Sequence, residues 1–86
     1  MAQVGRRAQN VKPSEKSARQ HIRRTVAECK RAVGRGDYAA AHIHEKVAWQ
    51  LALYNIALLR LRPEAAESLA AEALVTVDIE FPRNYT

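Results

Sequence analysis

One cysteine, Cys29, is all that this chain of 86 residues offers for cross-linking, so no intrachain disulfide can form. That count fits a reducing compartment, a host cytoplasm or the interior of a virion, and leaves Cys29 to act as a small core residue. Aromatic residues make up 6% of the chain against 48% hydrophobic residues overall, a balance that suits packed helices better than a β-sandwich. Three glycines and three prolines build no phosphate-cradling loop and no low-complexity segment. Residues 1–16 lack the apolar core of a secretory signal. The most apolar run, from Val47 to Leu61, contains Gln50 and Asn55 and falls short of the ~20 residues that cross a bilayer. The chain is therefore expected to be soluble, with no membrane partner.

What is abundant is positive charge, and it is unevenly placed. The net charge is +5. Residues 1–37 hold ten basic and three acidic side chains, or +7, whereas residues 38–86 hold four and six, or −2. Such asymmetry predicts that the N-terminal half meets an anion, with nucleic acid the commonest candidate.

The first dozen residues are polar and basic without periodicity, and read as a flexible arm carrying Arg6 and Arg7. Residues 13–86 then read as a single small helical domain. Ser14 is a suitable N-cap, and Ala18, Ile22, Val26, Cys29 and Val33 recur at helical spacing over 14–33. Beside that stripe Lys16, Arg19, Arg23 and Lys30 fall on one side, and Arg24 and Arg31 widen the band. These side chains, with the arm, are the candidate phosphate contacts. The same band would serve equally as a solvated face.

The stretch "GRGD" at 34–37 contains an adhesion tripeptide but reads more simply as a corner. Glycine closes one helix and Asp37 caps the next. The second helix, 37–61, has two apolar stripes. One runs Ile43, Val47, Leu51, Tyr54, Leu58 and Leu61, and the other runs Trp49, Ala52 or Leu53, Ile56 and Leu59. A helix in a simple hairpin needs only one apolar face. Part of its surface is therefore expected to be covered by another subunit, with Trp49, Leu53, Ile56 and Leu59 as interface residues. Pro63 starts a third helix over 63–74.

Val75, Val77, Ile79 and Phe81 then alternate with Thr76, Asp78 and Glu80, which predicts a strand over 75–81. With no second strand in the chain, it would pair with a copy of itself or with a different protein. The alternative is an extended tail laying its apolar side on the helices. The expected architecture is thus mainly α, a helical hairpin with a short third helix and a C-terminal extended strand, oligomeric.

His42, His44 and Glu45 in "HIHEK" have the wrong spacing for a shared metal, because ligands two residues apart on a helix point away from each other. No metal or cofactor is expected. No Ser/His/Asp set or usable carboxylate pair is evident, so an enzyme is the less favoured class. Arg35 followed after six residues by His42 resembles the R-x4-6-H motif of the HEPN ribonucleases, all-helical proteins. That resemblance would make Arg35 the phosphate holder and His42 the acid or base. Ile43, Glu45 and Trp49, following a basic helix with a cysteine near its end, resemble the helical-hairpin core of phage cyclic-oligonucleotide sponges over residues 18–60. This second resemblance implies a short, oligomeric, non-catalytic protein that holds signalling nucleotides between subunits. A small structural component of a virion or large assembly is the remaining alternative. The leading expectation is a non-enzymatic, self-associating basic protein with a nucleic-acid partner.

Overall fold

A computed structural model describes residues 14–83, so the basic arm with Arg6 and Arg7 lies outside the described residues. Three helices follow one another: α1 (Glu15–Gly34), α2 (Tyr38–Leu59) and α3 (Pro63–Leu74), closed by a 3-10 turn, Val75–Asp78. α1 opens on a reciprocal cap. Ser17 donates its N–H to Ser14 Oγ at 3.0 Å, and Ser14 donates its N–H to Ser17 Oγ at 3.1 Å. Serine thus replaces the usual Glu or Gln of such a capping box.

The corner between α1 and α2 rests on Gly36 and Asp37 of "GRGD". Gly36 takes φ +76°, the left-handed conformation that lets a helix end without a side-chain clash. Its N–H donates to Val33 O and the N–H of Asp37 donates to Ala32 O, satisfying carbonyls that the helix end would otherwise strand. Asp37 then caps α2, its Oδ1 accepting from the Ala40 N–H at 3.2 Å. One residue therefore both closes a helix and opens the next. α2 ends in the same way, with Arg60 at φ 50° where glycine is usual. Leu61 N–H reaches back to Ile56 O at 3.2 Å.

The packing of α2 reverses what large side chains would suggest. Its fully buried positions are Ala41, Glu45, Ala48 and Ala52. These meet Ala18, Ile22, Val26, Cys29 and Ala32 of α1, and Leu69 and Ala73 of α3 complete the core. Small residues at the seam let two helix backbones approach closely, so dispersion contacts are made with little side-chain volume. Of the stripe running from Trp49 to Leu59, Ala52 is buried and Ile56 packs on the core, while Trp49 and Leu53 stay exposed. Leu51 and Leu61 of the other touch the core, while Ile43 (59% exposed), Tyr54 and Leu58 face outward.

The alternating segment does not form a strand within this chain. Val75–Asp78 continues α3 as a 3-10 turn, and Ile79 is the first residue with extended dihedrals. The reason lies in one side chain. Thr76, fully buried, turns its hydroxyl to Ala73 O at 3.3 Å and accepts the Trp49 indole N–H at 3.0 Å. That side chain is thus satisfied only while the turn persists. Beyond it Ile79 and Phe81 pack on Cys29, Ala32 and Ala41. These two residues, expected at an oligomer interface, are used inside the chain. Val75 and Val77 stay exposed.

Candidate nucleic-acid interface

The basic side chains of α1 divide into two groups. Arg19 and Arg23, one turn apart, face Ser68 and Glu72, also one turn apart on α3. Arg23 grips Glu72 with two bonds, Nε to Oε1 at 3.0 Å and Nη2 to Oε2 at 2.7 Å. Arg19 donates to Glu15 at 2.7 Å and to Ser68 at 2.9 Å, and reaches Glu72 at 3.4 Å. These bonds from Arg23 and Arg19 hold the Glu72 carboxyl below its usual range, against a smaller opposing effect of burial. The pair is therefore largely neutralised and stitches α1 to α3. Arg31 is matched by Glu28 one turn earlier, which lowers the Glu28 pKa in the same way.

Lys16, Arg24 and Lys30 form the second group. All three are exposed, and among the described residues none makes an ion pair with a carboxylate. Arg23 and Lys30 border a shallow recess with Val26, Ala27, Glu72 and Val75, and Lys16 borders another with Ser14, Glu15, Arg19, Gln20 and Arg23. Of the six cations of α1 read as candidate phosphate contacts, Arg19, Arg23 and Arg31 are thus engaged by acid. The signal for that was the matching i, i+4 spacing of Arg19 and Arg23 with Ser68 and Glu72.

The other candidates are placed as follows. Arg35 lies 3.9 Å from Asp37, whose carboxylate is already the cap of α2, so the adhesion tripeptide is folded into the corner. His42 Nδ1 lies 3.9 Å from Glu45 Oε1. Glu45 itself, 1% exposed, is clasped by Arg83: Nε donates to Oε1 at 3.0 Å and to Oε2 at 3.2 Å, and Nη2 donates to Oε2 at 3.0 Å. The same guanidinium donates to the carbonyls of Thr76 and Ile79 and sits 3.9 Å over the Phe81 ring. This clasp joins positions 38 residues apart, and nothing in the local pattern announced it. Burial pushes the Cys29 thiol pKa up and the nearby Glu45 charge adds to it, which keeps the sulfur protonated and inert.

Among the described residues no group of three or more His, Cys, Asp or Glu could hold a metal ion, and no helix is long and apolar enough to cross a membrane. Trp49, Leu53 and Ile56 line an apolar groove between α2 and α3, whereas Leu59 is half-buried at the end of α2. In comparisons with known proteins, no family model, no curated protein and no solved structure matches this chain.

Proposed function

We propose that this protein is a non-enzymatic helical module that self-associates and presents the outer side of α1 to a phosphate-rich partner, most simply nucleic acid. The observation that carries the reading is the exposure of Lys16, Arg24 and Lys30 on one helix without carboxylate partners among the described residues. Cations left unmatched on a helix can exchange their counterions for backbone phosphates, a sequence-independent attraction. Arg6 and Arg7, outside the described residues, would add to the same contact. Arg19, Arg23 and Arg31 contribute less, because a phosphate must compete there with Glu72 and Glu28.

No Asn, Gln or unoccupied aromatic side chain stands among these cations to read base edges, apart from Gln20, so the binding should be indifferent to sequence. The test is a titration of random duplex DNA at several salt concentrations. With about three to five phosphates contacted, log K should fall with log salt at a slope of about −3 to −5. Reversing Arg24 and Lys30 to glutamate should make that slope shallower by about two. A flat salt dependence rejects the reading.

A further inference from the structure

The groove between α2 and α3 has a floor of Ala52, Ala70 and Ala73 and rims of Trp49, Leu53, Ile56 and Leu74, about 250 Å³ with no polar atom in its lining. We infer that this groove is the face through which two copies of the chain pack, groove to groove, about a two-fold axis. The inference rests on the self-associating part of the proposed function and names its surface.

Three observations favour a second copy as the occupant. First, the patch is complementary to itself. Leu53, 70% exposed, and Leu74, 52% exposed, protrude beside a recess floored by alanine, as a shared patch in a two-fold interface requires. Second, Trp49, Leu53 and Leu74, 37%, 70% and 52% exposed, put three large apolar side chains on one patch, and apolar, aromatic-bearing surface is what the core of a homodimer interface is made of. Third, covering this patch strands no polar group. The one indole N–H at its rim is already bonded inward to Thr76 at 3.0 Å.

The outer stripe of α2 fails that third condition. Gln50 and the Tyr54 hydroxyl have no hydrogen-bond partner among the described residues, so burying them against another apolar face would cost free energy. Between Val47 and Leu59 α2 carries no charged residue, so nothing there would select a charged partner helix.

Sedimentation equilibrium of the full chain from 10 µM to 1 mM tests the inference, with Trp49 emission followed over the same range. Trp49 is the sole tryptophan and 37% exposed, so its fluorescence reports this patch alone. The expected result is a dimer whose formation shifts the emission to the blue. Leu53→Glu and Leu74→Glu should each weaken association at least tenfold with unchanged helix content, and Ile43→Glu on the outer stripe should leave it intact. A chain that stays monomeric at 1 mM overturns the inference together with the self-associating part of the function. A dimer that survives both groove variants, or is broken only by Ile43→Glu, overturns the location and leaves self-association standing.

Discussion

The two long sides of α2 are built on opposite rules. Toward α1 stand Ala41, Ala48 and Ala52 with one carboxylate, Glu45, all at most 3% exposed. Away from it stand Ile43, Leu53, Tyr54 and Leu58, all nearly half exposed or more. The larger side chains are outside and the smaller ones inside. A helix can therefore bury a face by closeness as well as by bulk, and the side that looks hydrophobic in sequence need not be the side the chain keeps for itself.

The sharpest way to break that contrast is to leave the buried carboxylate unmatched. Arg83→Ala removes both the bidentate partner of Glu45 and the anchor of the tail, and should cost about 3 kcal/mol, read as a lower midpoint in urea. Next comes bulk on the close side. Ala48→Leu forces extra methylenes into a seam without room and should cost about 2 kcal/mol. The same-sized change outside, Leu58→Ala, should cost under about 0.5 kcal/mol in the isolated chain. Equal penalties for these two substitutions would abolish the distinction between the sides.

The smallest effect belongs to the seam between α1 and α3, which neither side of α2 forms. There Glu72 has a folded pKa below its ordinary value of 4.5 because Arg23 and Arg19 bond to its charged form. The unfolded chain then binds the proton more readily. The stabilisation is fully present above about pH 4.5 and is lost as pH falls through the lower folded value. Melting curves from pH 6 to pH 2.5 should show a gradual acid loss that Glu72→Gln reduces. An identical profile in the variant would remove Glu72 from the account.

The helices and their corners were legible because their signals are local. Ser14, Asp37, Gly36 and Pro63 each act on backbone groups within a few residues, and the observed bounds follow them closely. The two-faced character of α2 was legible as well. Which face turns inward was not, since alanine contributes little to an apolar stripe although it decides how near two backbones can come. In the single chain the segment 75–78 departs from the strand pattern for a different reason. Alternation of Val75, Val77, Ile79 and Phe81 describes side chains, but Thr76 finds its partners in Ala73 and Trp49, and the backbone follows Thr76. The basic ridge was visible on α1 alone, whereas its neutralisation comes from α3 and the clasp on Glu45 from the tail. Both depend on contacts across 38 to 53 positions of sequence.

The tail that Arg83 fastens is also part of the cover of Cys29, which is fully buried with Ala32 and Ala41 in a cluster that Ile79 and Phe81 pack against. A thiol-specific dye can attack only when some of that cover lifts, so the labelling half-life counts how often this end of the molecule opens.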